Sequence, residues 1–280
     1  MQNIELPLVL FTVLSQAAVG MALLLAVRSC GCAGGACAAT PTTAGTAGTG
    51  GNAPGSRTEW LTATIVMGVA LLASLFHLGH PEGAVRTLAH LEKAWLSREI
   101  LAFGAFAALL AVAAVTGKAG AALRGAAALV GLAALYTSGM TYAPPAMPAL
   151  HNAAPLGFFL LSALLLGASF GSWFAGEGSQ PMLRAVLLGS LAAALAVYVI
   201  VPCVWASGGT VMQMTARAWL ASPLYWARLV LGIVVPLVVM IRSPRIPRWM
   251  GPLVLLGELA GRAVFFGATV HAAMNLGIPY

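Results

Sequence analysis

Apolar runs of about twenty residues, each long enough to cross a bilayer as a helix, recur eight times along this chain, separated by short polar pieces. The predicted spans are Leu6–Val27, Trp60–Gly79, Glu99–Val115, Ala121–Tyr142, Pro155–Phe174, Met182–Cys203, Pro223–Ile241 and Met250–Ala272. Each run is continuous, whereas a transmembrane barrel needs apolar and polar residues alternating along every strand. The first run is too long for the core of a signal peptide and no basic segment precedes it, so it reads as a retained helix. Residues 29–58 are rich in Gly, Ala and Thr and read as a flexible loop. The stretch between the sixth and seventh spans carries Trp205 and Trp219, which suit a segment lying at the membrane interface. No internal repeat stands out.

Composition agrees with this pattern. Hydrophobic residues make up 60% of the chain and charged ones 8%, with a mean hydropathy of +0.92. Soluble domains carry about 25% charged residues, so the expected fold class is an all-α integral membrane protein, a bundle of eight transmembrane helices forming a single membrane domain. The net charge of +7 does not indicate nucleic acid, because the basic residues sit at the ends of apolar runs and form no basic stripe. Eight of the fourteen lie in odd-numbered loops or, as Arg124 and Arg184 do, in the first turn of a span beside one, four lie in even-numbered loops, and Arg228 and Arg262 fall deeper inside spans. The imbalance places the odd loops, including 29–58, in the cytoplasm and both termini on the outer side of the cytoplasmic membrane. Cys30, Cys32 and Cys37 form C-x-C-x4-C, which fits no standard zinc or iron–sulfur spacing. In a cytoplasmic loop they read as reduced thiols.

Ionisable groups at membrane depth are costly, so each one raises a functional question. Three of the five histidines and three of the seven acids fall between Ser74 and Leu101. His77 ends the second span in FHLGHP and Glu99 opens the third in LSREI, which puts both at the outer boundary. Alone, His77 reads as a helix-end side chain bonded to a carbonyl, and Glu99 as an acid favoured by a helix N-terminus. As a pair at one depth they suit quinol oxidation, in which two protons must be accepted near the working pH. His77 and Glu99 are therefore the candidate catalytic residues, with His80, Arg228, Glu258 and Arg262 as supporting quinone-binding residues. Glu258 and Arg262 stand four apart on one helix face and read as a self-neutralising ion pair or as a proton or quinone site. Arg228 reads as a quinone-carbonyl ligand or as a partner for Glu258. A bis-His haem would need His77 and His271, both at the outer edge, and the chain has no C-x-x-C-H, so haem is not expected here.

LPLVLFTVLSQAAVG at the start, FHLGHP followed by LSREI, and GELAGRAVFFG near the end resemble the membrane-anchor subunit of bacterial dimethyl sulfoxide reductase. The resemblance implies an eight-helix subunit that oxidises menaquinol. It also implies that an iron–sulfur electron-transfer subunit and a molybdopterin catalytic subunit dock on the outer face, bringing all the metal centres. The family's quinol-site histidine falls on His77 and its acidic partner on Glu99. His80 departs from the family pattern, which is closer to H-L-G-S-P, and the long first loop is a second departure. Anchors of polysulfide and nitrite reductases share the span count and general role. Two other classes compete: a secondary transporter using Arg228, Glu258 and Arg262 as its substrate or proton site, and a purely structural anchor. The resemblance implies that the terminal electron acceptor is set by the partner subunits.

Overall fold

A computed structural model describes residues 5–33, 57–77, 91–117 and 119–272. The described residues form helices and connecting turns with no strand, and eight helices are long and apolar enough to cross a membrane. They are α1 (Leu6–Ala33), α2 (Arg57–His77), α3 (Trp95–Thr116), α4 (Ala121–Thr141), α5 (Ala154–Gly171), α6 (Gln180–Ala206), α8 (Pro223–Arg242) and α9 (Met250–Gly267). A shorter helix, α7 (Thr210–Ala221), joins α6 to α8. Prolines in the first turn start α5, α6 and α8, where the missing N–H is not needed. Gly117 ends α3 in the left-handed region, φ 64°, as a C-terminal glycine can without strain. A π-helical turn over Val230–Val234 interrupts α8.

The most buried span is α1, and it packs against α2, α4, α5 and α9. A lipid-embedded helix gains nothing from hiding apolar side chains from lipid, so association depends on close backbone contact and polar bonds. Small residues supply the contact. A Cβ added to Gly20 of α1 would lie 1.8 Å from the Ala163 carbonyl oxygen of α5, so this crossing requires glycine. Leu72, Val115, Leu129, Ile200 and Leu256 stay exposed around the bundle. They would be an aggregation liability in water, and in a bilayer they are the lipid-facing surface.

Several boundaries and roles differ from the sequence expectation. The first helix runs past Val27 to Ala33 because Arg28 is buried in an ion pair with Glu59 at the start of α2. The loop expected from residue 29 therefore starts later, and residues 34–56 lie outside the described residues. The third helix starts at Trp95, so Glu99 sits one turn inside it instead of opening it. The last helix ends at Gly267, before His271. Trp205 and Trp219 are not interfacial anchors. Their rings meet edge-on at 4.8 Å in the core, and their indole N–H groups donate to the Ala149 carbonyl and the Thr269 hydroxyl. Trp173, Trp226 and Trp249 are the tryptophans left exposed near helix ends.

On the face formed by the odd loops, arginines cap helix C-termini. Arg57 Nε donates to the Ala114 carbonyl at 3.2 Å, and Arg184 donates to the Ser243 and Met240 carbonyls, each at 2.9 Å. Cations favour the negative end of a helix dipole, so the basic residues of this face also close the helices.

Candidate functional site

A cavity of about 570 Å³ opens between α1, α2 and α3 at the end of the bundle opposite the arginine-capped face. Helical spacing builds its walls. Gly68, Leu71, Leu72 and Leu75 form one face of α2, and Leu96, Glu99, Ile100 and Phe103 form one face of α3. Leu8 and Phe11 of α1 close the back, and Tyr142 enters from the residue after α4. Leu72, Leu75 and Leu96 are 58%, 46% and 44% exposed, so the mouth faces the lipid side of the bundle.

Ser74, Glu99 and Tyr142 are the wall side chains that carry polar atoms. The Ser74 hydroxyl donates to the Leu71 carbonyl at 2.8 Å. Glu99 is 2% exposed, and neither of its carboxylate oxygens has a hydrogen-bond partner among the described residues, although the Ser138 and Thr141 hydroxyls stand near it. Its neighbour Arg98 does not neutralise it. The guanidinium stacks on Trp95 at 4.4 Å and donates to the Leu91 and Glu92 carbonyls at 2.8 and 2.7 Å. Buried polar groups are almost always bonded, so an orphaned carboxylate in a cavity wall stands out. It can accept hydrogen bonds and protons, and no cation among the described residues is paired with it.

His77 is the last residue of α2, less than a turn past Ser74, so its backbone lies at the cavity's end of the helix. Its side chain, His80 and His90 lie outside the described residues.

Arg228, Glu258 and Arg262 do not line this cavity. They form a separate network deeper in the bundle, and its pairing corrects the sequence expectation. The Glu258–Arg262 ion pair does not form. Arg228 Nη2 donates to Glu258 Oε1 at 2.5 Å, and the Ser162 hydroxyl donates to Glu258 Oε2 at 2.6 Å. Arg262 Nη2 is shared between Gln16 Oε1 at 2.6 Å and the Ser162 hydroxyl oxygen at 3.1 Å. Its guanidinium also lies over Phe159 and Phe265, at 4.3 and 5.5 Å. The void beside the network is about 10 Å³, room for roughly one water and far too small for a quinone ring. Sequence reasoning missed Gln16, Ser162 and Tyr142. The first two were visible as polar residues inside apolar runs, while Tyr142 had no distinguishing signal.

The sequence model of a family described as DMSO reductase anchor subunit (DmsC) matches residues 58–268. Among curated proteins there is no match. The matched region holds α2 to α9 and with them most of the cavity wall, the buried network apart from Gln16, and seven of the eight spans. The chain belongs to the dimethyl sulfoxide reductase anchor-subunit family and is a multi-pass membrane anchor subunit of a dimethyl sulfoxide reductase-type complex.

Proposed function

We propose that this anchor also oxidises quinol, taking menaquinol from the lipid into the α1–α2–α3 cavity. The observation that carries the reading is Glu99: a buried carboxylate paired with no described cation, in an apolar cavity that opens toward lipid. The volume lies within the roughly 300–1,000 Å³ of small-molecule sites. An isoprenoid tail can remain among Leu72, Leu75 and Leu96 while the head ring sits inside. Oxidation of the quinol releases two protons and two electrons. Glu99 accepts one proton and His77, at the end of α2, is the second acceptor. The electrons pass singly to iron–sulfur clusters of an electron-transfer subunit, and from there to a molybdopterin catalytic subunit. Both partners dock on the face carrying the cavity, on the outer side of the cytoplasmic membrane together with both termini, a reading supported by the excess of Lys and Arg in the odd-numbered loops. Arg228, Glu258 and Arg262 hold the bundle in this reading and do not touch the quinone.

Gly68 provides the test. It lines the cavity, and an added Cβ would meet nothing within 4 Å. Gly68→Ala should leave activity intact, since alanine is the better helix former. Gly68→Phe should fill the cavity and lower quinol-driven reduction by about tenfold or more, because reacting groups displaced by even an ångström lose much of their rate. Reduction driven by an artificial donor that feeds the partner subunits directly should not change. Normal quinol-driven rates in Gly68→Phe would place quinol oxidation elsewhere. Orientation has its own check: a reporter inserted near His151 should behave as exported, and a cytoplasmic signal there would reverse the assignment.

A further inference from the structure

Three polar side chains line the cavity, and Tyr142 is the one with no assigned role. It is carried into place by the end of α4, where its backbone N–H donates to the Ser138 carbonyl at 3.1 Å. Its ring is held edge-on by Phe159 of α5 at 5.8 Å and by Phe265 and Phe266 of α9 at 6.5 and 5.2 Å. Four helices therefore meet at this ring, counting α3 across the cavity, and its plane is set by packing. Its side chain is half-buried at the cavity wall, a setting in which a tyrosine hydroxyl usually takes a hydrogen-bond partner. Glu99 stands within electrostatic reach of it, so a carboxylate acceptor and a phenol share the cavity wall.

We propose that Tyr142 binds the quinol head group, its phenol O–H donating to the same quinol oxygen whose proton passes to Glu99. This rests on the cavity being the quinol site. A hydroquinone oxygen has one hydrogen to give and lone pairs with which to accept, so it can bridge an acceptor carboxylate and a donor phenol at once. When the ring loses two electrons to the partner's iron–sulfur clusters and two protons to Glu99 and His77, that oxygen becomes a carbonyl. It remains an acceptor, so the Tyr142 bond is present before and after oxidation. A bond made equally in both states holds the ring in place and contributes to KM more than to kcat. Tyr142 also separates ligands by class, favouring oxygenated ring systems over plain hydrocarbons of the same shape.

The test uses the purified complex with a naphthoquinol donor. Tyr142→Phe keeps the ring and its edge-on contacts and removes the hydroxyl alone. KM should rise about two- to twelvefold, the size of one lost neutral hydrogen bond, with kcat within about twofold and artificial-donor activity unchanged. A pair of competitive inhibitors gives a readout that a packing role would not move. An alkylnaphthoquinone should bind the variant more weakly by the same factor, while an alkylnaphthalene lacking both oxygens should bind it as it binds the wild type. KM and inhibition constants do not depend on how much complex assembles, so a lower yield leaves the comparison valid. An unchanged KM alongside an inactive Glu99→Gln would overturn the role of Tyr142 and leave the site standing. Equal weakening of both inhibitors would overturn it too, assigning Tyr142 to packing. Full quinol-driven activity in both variants would instead remove the quinol site from this cavity.

Discussion

Glu99→Gln should lower quinol-driven reduction by about 10²–10⁴-fold, the usual contribution of a positioned general base, and leave artificial-donor activity at the wild-type level. Glutamine has nearly the same shape and keeps one acceptor oxygen, so a quinol can still enter and bond to it. What it cannot do is take the proton. The structure also says why the fold should survive the change. Neither Glu99 oxygen bonds a described residue, and Arg98 is committed to Trp95 and two backbone carbonyls. Removing the charge therefore strands no cation, and the glutamine oxygen can still face the Ser138 and Thr141 hydroxyls. Membrane-bound complex and its melting temperature should match the wild type, and turnover should be compared at equal complex. His77→Ala should show the same split between donors if His77 is the second acceptor. A Glu99→Gln complex that oxidises quinol at the wild-type rate would disprove the assignment of Glu99 as base.

The spans were legible because lipid imposes one simple demand, about twenty apolar residues with every backbone group bonded inside the helix. Their ends were less legible because pairing across helices decides them. Hydropathy stops at Val27, yet Arg28 can continue α1 because Glu59 on α2 meets it. Glu99 looked like the first residue of a helix because the apolar run begins there. The helix starts a turn earlier, with Trp95 stacked against Arg98, and that turn carries Glu99 into the cavity wall. Trp205 and Trp219 have the composition of interface residues, but each finds both a ring partner and a hydrogen-bond acceptor in the core. The cavity itself was not legible, since the residues that shape it come from α1, α2, α3 and the end of α4. The acidic half of the candidate site was legible from a single fact: a glutamate at the edge of an otherwise apolar run.

The buried network lies apart from the Glu99 cavity, and Glu258→Gln is where a purely structural role should show most strongly. Spacing along α9 offered Arg262 as the partner of Glu258, four residues away. Arg228 of α8 takes that place because α8 and α9 touch backbone to backbone. A Cβ on Gly257 would lie 2.4 Å from the Gly232 Cα, and the π-turn of α8 begins two residues after Arg228. Arg228 and Glu258 are both almost fully buried. Glu258→Gln leaves Arg228 without an anion and weakens the acceptor for Ser162, which also holds Arg262. Breaking a buried pair from one side costs about 3–5 kcal/mol, so the variant should show a marked loss of membrane-bound complex and a lower melting temperature. The complex that does assemble should oxidise quinol at a near-normal rate per molecule, because this network lies outside the Glu99 cavity. Replacing both partners, Arg228→Met with Glu258→Met, should restore part of the lost stability, since an apolar pair of similar volume leaves no charge stranded. A double variant less stable than Glu258→Gln would mean that the charges themselves hold α8 against α9. Normal yield and stability in Glu258→Gln with quinol oxidation abolished would make Glu258 a proton carrier and extend the quinol chemistry from the cavity into the centre of the bundle.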